Sequence, residues 1–540
     1  MPLPTSRTQA WPPNDWAEKH KAIQQAAVWY EGDPERLAGH YAGVGTNNAD
    51  KGGFWARLRN RNTSQRAAPP QRLHLPAAAD IATVSADLLF GETPTFLIPD
   101  AHNADQTGSE DEPTAAATEV RLNELVEEDG IVATLLEAAE YASALGGVYL
   151  RPMWDPALCE RPLLTYVNAD CAVPEFWQRQ LVAVTFWTEL VNNSTTGEVW
   201  RHLERYEMQG NESVVLHGLY KGTAGQLGVR APLTDHSATA GIGVEPLAEG
   251  EEGFAERVTM PAAITTIAVR YVPNALSRKN RQDPVGRADT AGCEAEMDAL
   301  DETYSALMRD VRLGKARITV PDEFLERQGR GQGTSFDVDQ EVFSPLNVDP
   351  GHTDKAGIEL MQPEIRSEQL LAVAEDLFVH VAMTAGYSPQ SFGMQGDGSS
   401  VTATEVDART GRSTDTTSRK RRYWQKPVDD VLEMLLIIDA EYFTDGLVPL
   451  RPRMEFAEQD EDLRELASSL NLLNLAGAVS IERKVRMLNP KWDDAEVGEE
   501  VARIKADMGS SPDPFGAGPG EPPEPGPPEP PPEGDRGAGQ

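Results

Sequence analysis

Residues 386–443 open as Gly386-Tyr-Ser-Pro-Gln-Ser-Phe-Gly-Met-Gln-Gly-Asp-Gly-Ser-Ser400 and continue through Val401-Thr-Ala-Thr-Glu-Val406 into a long helical stretch. Glycine and small polar side chains let the first part sample many backbone conformations. A helix over the remainder would reach roughly 60 Å at 1.5 Å per residue. Gly411 and Pro427 fall inside it, so kinks or breaks are expected at those points. A mobile loop hinged on such a helix suits a part that moves against something, rather than an active site fixed on a rigid core.

Immediately upstream, Cys293, Met297, Leu300, Tyr304, Leu307 and Val311 recur at alternating four- and three-residue steps, opposite an acidic face of Glu294, Glu296, Asp298, Asp301 and Glu302. A second helix over about 367–385 carries Leu370, Val373, Ala374, Leu377, Phe378 and Val381. Between them, Arg317-Ile-Thr-Val320, Ser335-Phe-Asp-Val338 and Gln340-Glu-Val-Phe343 read as short strands. The pattern is a β-rich insertion held out on a two-helix stalk.

Farther out, Trp11, Trp16, Val28, Trp29 and Tyr30 predict a short helix packing its aromatics on a neighbouring surface, before a polar stretch with Arg57, Arg59, Arg61 and Arg66. Pro76 starts a helix over 77–90, with Gly91 at its C-terminal end, and residues 119–145 read as one or two helices ended by Gly146-Gly147. Strand-like runs at 148–154, 163–167, 181–187, 199–206, 213–220 and 264–272 predict an antiparallel, meander-like sheet, with 221–259 rich in loops. Leucines from Leu463 to Leu475 begin a final helical region ending in a helix at about 494–508, and the Pro-, Gly- and Glu-rich residues 509–540 cannot bury a core and are expected to be disordered.

At 540 residues the chain holds more than one folded unit, and with no run of 18 or more apolar residues nothing in it is expected to span a membrane. The N-terminus lacks the apolar stretch of a secretory signal, and three cysteines without metal-type spacing fit a reduced, cytoplasmic place of synthesis. The net charge of −37 argues against ordinary nucleic-acid binding, which relies on lysine and arginine neutralising phosphates. Acidity could serve solubility alone, or form a surface that borders DNA without gripping it; composition leaves both open.

Catalytic motifs are missing. Gly329-Arg-Gly-Gln-Gly-Thr-Ser335 lacks the lysine and spacing of a phosphate loop, and the nine histidines show neither a His-Glu-x-x-His pair nor a compact metal cluster. His380, inside an apolar helical stretch, reads as a packing residue. The densest basic run, Arg419-Lys-Arg-Arg422, reads first as a solvated face or a partner for acidic neighbours, and second as a nucleic-acid contact. No catalytic residue, metal or cofactor is assigned.

The order of segments resembles the portal proteins of tailed double-stranded DNA bacteriophages, closest to those with long non-contractile tails. The similar pieces are Ile81-Ala-Thr-Val-Ser-Ala-Asp-Leu-Leu-Phe-Gly-Glu-Thr-Pro94, Gly147-Val-Tyr-Leu-Arg-Pro-Met-Trp-Asp155, Val173-Pro-Glu-Phe176 with Val182-Ala-Val-Thr-Phe-Trp187, Ser399-Ser-Val-Thr-Ala-Thr-Glu405 and Ala476-Gly-Ala-Val-Ser-Ile-Glu482. Each is weak singly; their shared order over roughly 75–508 carries the likeness.

The resemblance implies an α+β portal fold. Its parts would be a wing of helices plus antiparallel strands (1–285), a stem helix (286–311), a small α/β clip (312–365), a second stem helix (366–386) and a tunnel loop (387–401). A long kinked channel helix with the remainder of the wing (402–459), a helical crown (460–508) and the disordered tail (509–540) would follow. It also implies a non-enzymatic cyclic homo-oligomer, typically of twelve subunits, at one capsid vertex, conducting double-stranded DNA in packaging and ejection without sequence specificity. Its partners would be the major capsid protein, the terminase large subunit, the head-completion adaptor and any scaffold protein. The protein would be made in the host cytoplasm and end in the virion. On this likeness Gln390, Ser391, Gln395, Asp397, Ser399 and Ser400 would face DNA, Met297, Leu300, Tyr304, Leu307, Leu377 and Phe378 would make stem subunit contacts, and Glu323, Glu326 and Arg327 would meet clip partners. The alternative is another oligomeric virion or assembly protein without a DNA channel. A further one is a cytosolic enzyme, which would be compact, with a deep pocket of perturbed titratable groups.

Overall fold

The computed structural model describes residues 3–4, 9–39, 72–99, 112–155, 159–193, 197–243, 256–278, 282–313, 317–319, 326–327, 334–335, 359–361, 366–394, 403–457, 470–473, 479–488 and 494–510. In chain order the N-terminal part comprises α1 (Ala17–Glu31), α2 (Ala77–Phe90), β1 (Thr95–Leu97), α3 (Glu112–Glu128) and α4 (Ile131–Leu145). Strands follow: β2 (Gly147–Met153), β3 (Leu163–Asn168), β4 (Ala172–Trp177), β5 (Gln180–Asn193), β6 (Glu198–Gln209), β7 (Glu212–Thr223), β8 (Gln226–Ala231), β9 (Arg257–Thr259) and β10 (Arg270–Pro273). Next come α5 (Glu294–Leu313), the short strands β11 (Arg317–Thr319), β12 (Glu326–Arg327), β13 (Thr334–Ser335) and β14 (Glu359–Met361), then α6 (Ser367–Ala385). The chain continues with α7 (Ala403–Tyr442), β15 (Arg453–Glu455), α8 (Ile481–Leu488) and α9 (Asp494–Ser510).

Among the described residues every paired strand runs antiparallel, in a six-stranded sheet of order β4-β5-β6-β7-β8 with β9 on β7, a three-stranded sheet β10-β2-β3, and three two-stranded pairs. The mixed α+β class is therefore as expected. Several details differ. The expected strand at 264–272 pairs only from Arg270; Ile264, Ile267, Ala268 and Val269 are buried without ladder bonds of their own and line the core as irregular chain. The loop-rich reading of 221–259 missed β8 and β9. The meander also missed β4, whose hairpin to β5 turns at Gln178 (φ 48°) and Arg179 (φ 66°). That left-handed pair lacks the Asn or Gly that normally announces it.

Two cores set the position of α7. Its Trp424, Val428, Val431, Leu432, Leu435 and Leu436 pack with Leu89 and Phe90 of α2, Leu122 and Leu125 of α3, Leu135 and Ala138 of α4, and Val148 and Leu150 of β2. Met434 and Ile438 pack instead with Tyr149, Val184, Phe186, Tyr206 and Val215 on the sheet side. A helix apolar on all sides is a buried helix, and the C-terminal half of α7 is wedged between a helical layer and a sheet.

This burial explains why the expected breaks do not occur: α7 runs 40 residues without interruption, with Pro427 inside it. Proline and glycine cost about 3 and about 1 kcal/mol in a helix interior. Each fully buried large apolar side chain returns roughly 1.5–3 kcal/mol, and the buried Trp424 and Val428 lie within one turn of Pro427.

Helices α5 and α6 form an antiparallel hairpin: Met297 packs with Val381 and Ala385, Leu300 with Ala374, and at the far end Arg366 donates to Asp310 at 3.0 Å. The first of these helices starts at Glu294 rather than 286, because the chain from 286 to 293 is held extended and turned by bonds such as Asp289 N–H to Ser143 O at 3.0 Å. The insertion between them pairs β11 with β14 and β12 with β13; the expected strand at 340–343 lies outside the described residues. His380 is exposed, 3.9 Å from Asp376, and is not a packing residue; the apolar seam of α6 runs through Ala374 and Val381 on another side.

The chain divides into two compact units, Met1–Ala457 and Glu458–Gln540. Within the second, α8 and α9 pack through Val485, Val497 and Val501. The proline-rich residues 511–540 lie outside the described residues.

Candidate channel segment and its anchoring

The glycine-rich stretch is tied down at its root. Helix α6 ends at Gly386, whose φ of 110° is left-handed and whose N–H bonds Ala382 O. A Cβ there would stand 2.8 Å from Thr416 Oγ1, and that same hydroxyl donates to Gly386 O at 2.7 Å. Ser388 N–H bonds Ser413 Oγ at 2.8 Å, and Ser391 Oγ lies 2.8 Å from the same oxygen. Pro389–Phe392 forms one 3-10 turn. Of the six expected loop residues, Gln390 and Ser391 therefore sit in an ordered turn against α7, whereas Gln395, Asp397, Ser399 and Ser400 lie outside the described residues.

One helical turn beyond Thr416, the fold does something the sequence does not announce. Lys420 is buried, and its Nζ donates to Asp289 Oδ2 at 2.5 Å and Ser85 Oγ at 2.7 Å. Asp289, also buried, accepts from Ser143 Oγ at 2.7 Å, Asn274 Nδ2 at 2.8 Å and Tyr387 OH at 3.1 Å. The node joins α2, α4, the chain after β10, the segment leading into α5, the second residue after α6, and α7. Of the basic run, Lys420 thus serves as a partner for an acidic neighbour, while Arg419 and Arg422 are exposed.

Burial would raise the Asp289 carboxyl, but the Lys420 charge and the hydrogen bonds from Lys420, Ser143 and Asn274 overcome it and hold the group below 3.8. Burial lowers Lys420 below its ordinary value, an effect Asp289 only partly opposes. Asp430 farther along α7 behaves like Asp289: burial raises it, and Lys426 at 2.7 Å, Arg451 and Arg270 at 2.8 Å bring it net below 3.8.

A carboxyl depressed in the folded state contributes stability that is complete above its unfolded value and lost as the pH falls through the folded one. Urea midpoints are therefore expected to hold down to about pH 4 and fall below it. Asp430→Asn should remove part of that acid dependence while lowering the midpoint at pH 7.

The other expected residues are dispersed. Met297 and Leu300 are buried inside the subunit, and Tyr304, Leu377 and Phe378 are half-buried against Leu300. Two of the six expected stem contact residues thus belong to the seam between α5 and α6 and are closed to a neighbour. Glu326 and Arg327 lie in β12, opposite Ser335 and Thr334, while Glu323 lies outside the described residues. The histidines do form a compact group, contrary to the expectation from spacing: His202, Glu204 and His217 come together across β6 and β7. Alternation puts 202 and 204 on one face, but only the strand register brings 217 beside them.

The chain thus combines an uninterrupted helix of 40 residues, a segment anchored on its flank and a helical hairpin carrying a β insertion. The family described as "Phage portal protein, SPP1 Gp6-like" matches residues 10–444. The chain belongs to this family of phage portal proteins. No curated protein matches it. As a portal protein it is a structural, non-enzymatic virion component with a role in DNA packaging, of a family that implies a homo-oligomeric ring in contact with capsid and DNA. The match takes in both stalk helices and all of α7 and stops before the second compact unit. Among the described residues no helix of this portal protein is long and apolar enough to cross a membrane.

Proposed function

We propose that the chain is one subunit of a ring of about twelve that conducts double-stranded DNA through one capsid vertex, with residues 387–401 as its movable wall. In this reading residues 1–285 and the later part of 402–459 are the wing, α5 and α6 the stem, 312–365 the clip and 460–508 the crown. The clip docks the terminase large subunit during packaging and the head-completion adaptor afterwards, while the wing meets the major capsid protein and any scaffold.

The observation that carries the reading is the rooted loop on α7. Ser388 and Gly386 are bonded to Ser413 and Thr416, so a glycine-rich segment is suspended between a fixed hairpin and a fixed helix. The loop holds Gln390, Ser391, Gln395, Asp397, Ser399 and Ser400 and no basic residue. A wall without fixed cations releases few counterions from passing phosphates and so does not brake translocation.

Electron microscopy of the purified chain with native mass measurement tests the ring: an axial channel of DNA width is expected, and a compact dimer without one overturns the reading. For the loop, Asp397→Lys places a ring of cations on the DNA path. Packaging is expected to slow several-fold, most at low salt, with retention of packaged DNA also altered. Unchanged packaging and retention in this variant, at low and high salt, would remove the loop from the DNA path.

A further inference from the structure

The histidine cluster on the six-stranded sheet has no part in the portal reading. Glu204 on β6 is the register partner of His217 on β7, and His202 lies two residues earlier on the same face. Both histidines are buried, and His202 Nε2 stands 3.2 Å from His217 Nδ1 with the ring planes 8° apart. His202 Nδ1 is 3.5 Å from Glu204 Oε1, and one ligand atom from each of the three residues lies within 4.8 Å of the other two. His202 and Glu204 line a cleft of about 650 Å³ that also takes in Trp11, His20, Arg151 and Asp170.

We propose that His202, Glu204 and His217 bind one divalent cation of the Zn²⁺ class. Two ligands at the usual Zn–N distance of about 2.0–2.1 Å, at a tetrahedral angle, stand roughly 3.3 Å apart, close to the 3.2 Å between the facing ring nitrogens. Two imidazoles and one carboxylate form a borderline donor set that suits Zn²⁺, Co²⁺ or Ni²⁺ and not the all-oxygen preference of Mg²⁺.

Ligation requires neutral imidazoles, and burial disfavours the charged form of both rings. Without the ion, one ring donates its N–H to the other. With the ion bound, that proton resides on the donor ring's second nitrogen, so both rings stay neutral and the proton count is unchanged. The cleft, which His202 and Glu204 line, would give the ion its access route and room for a water as the fourth ligand.

Arg151 sets the strength of the site. Its guanidinium is bonded to the second Glu204 oxygen and donates to Tyr206 OH at 3.0 Å. It orients the carboxylate in the way an outer-shell partner does, but its charge opposes a second cation nearby. Micromolar affinity is therefore expected. The bound ion would join β6 to β7 on the face of the sheet that carries Phe186 and Tyr206.

The test uses the full chain, stripped with chelator, and titrates it with Co²⁺ while following the visible absorption of a four-coordinate ion; Zn²⁺ is then added in competition. One ion per chain is expected, displaced by Zn²⁺ and not by excess Mg²⁺, with a melting temperature raised by a few degrees at saturation. His217→Ala and His202→Ala should each weaken binding at least tenfold. His217→Gln, which retains a polar side chain at the position, should do the same with an unchanged circular dichroism spectrum. The proposal is overturned if the stripped chain takes up no Co²⁺. Uptake of equal strength in the folded His202→Gln/His217→Gln variant also overturns it, since the ions would then sit on exposed carboxylates of this acidic chain.

Discussion

Replacing Lys420 with methionine is expected to destabilise the first compact unit by about 3–5 kcal/mol, the scale for breaking a buried ion pair by removing one partner. The change leaves Asp289 buried with Ser143, Asn274 and Tyr387 as neutral donors and, in place of the bonded ammonium, only the charge of the unbonded Arg287 nearby. Burial then dominates and raises the Asp289 carboxyl, so the deficit should shrink as the pH is lowered and the group takes up a proton. Lys420→Met combined with Asp289→Asn removes both charges and should recover much of the loss, giving a coupling energy far from additive. Urea unfolding at pH 7 and pH 5, followed by tryptophan fluorescence, measures both of these variants and Asp289→Asn alone. A single-variant loss below about 1 kcal/mol, the range of exposed pairs, would mean that the pair is not buried as described. Because Tyr387 leads into the loop and Asp289 into α5, the same variant should loosen the root of the loop. Faster proteolysis between residues 386 and 416 is the accompanying expected result.

Assembly is where the second large effect is expected. Met308 and Val311 continue the stripe that begins at Met297, yet they are 40% and 44% exposed in the single chain, and on α6 Val373 is 50% exposed. Adjacent helix positions differ by about 100° in direction, so Val373 lies on a different side of its helix from Ala374 in the internal seam. The hairpin thus leaves apolar side chains exposed on both of its helices, and a heterologous ring contact needs two such patches, since each subunit offers one face to the neighbour before it and another to the neighbour after. Val311→Asp or Val373→Asp would force a carboxylate into each such contact at several kcal/mol per interface. Rings should give way to monomers in native mass spectra. The melting temperature of the separated chain should stay within a degree or two, because both sites are exposed before assembly. Rings of unchanged stability in both variants would remove these residues from the interface.

Much of the helical framework was legible because it is written in local periodicity. The helix at 77–90 begins at the residue after Pro76, and that at 367–385 ends where Gly386 supplies a left-handed cap. The antiparallel character of the sheets followed from short alternating runs. Local signals failed where burial overrode them. Ile264–Val269 is as apolar as a strand but pairs with nothing in its first residues, because its side chains were needed in the core beneath the sheet. Pro427 was expected to kink or break α7, and the helix continues through that point between the two cores. The hairpin at Gln178-Arg179 carried no turn residue to be read.

The candidate sites divide in the same way. Composition alone indicated a loop without fixed cations, since a count of lysines and arginines needs no coordinates. The two stalk helices, the β insertion and the segment order of a portal protein were likewise present in the chain as written. Which side chains meet across long separations was not. Lys420 and Asp289 are 131 residues apart and read singly as one more base in a basic run and one more acid in an acidic chain. His202 and His217 lie in different strands, and only the β6–β7 register sets them 3.2 Å apart. Periodicity and composition are properties of neighbours along the chain, so the sequence determines the elements and their order. Partnerships between buried charges and buried imidazoles depend on which elements pack together, and that is decided only when the cores close around α7 and the sheet.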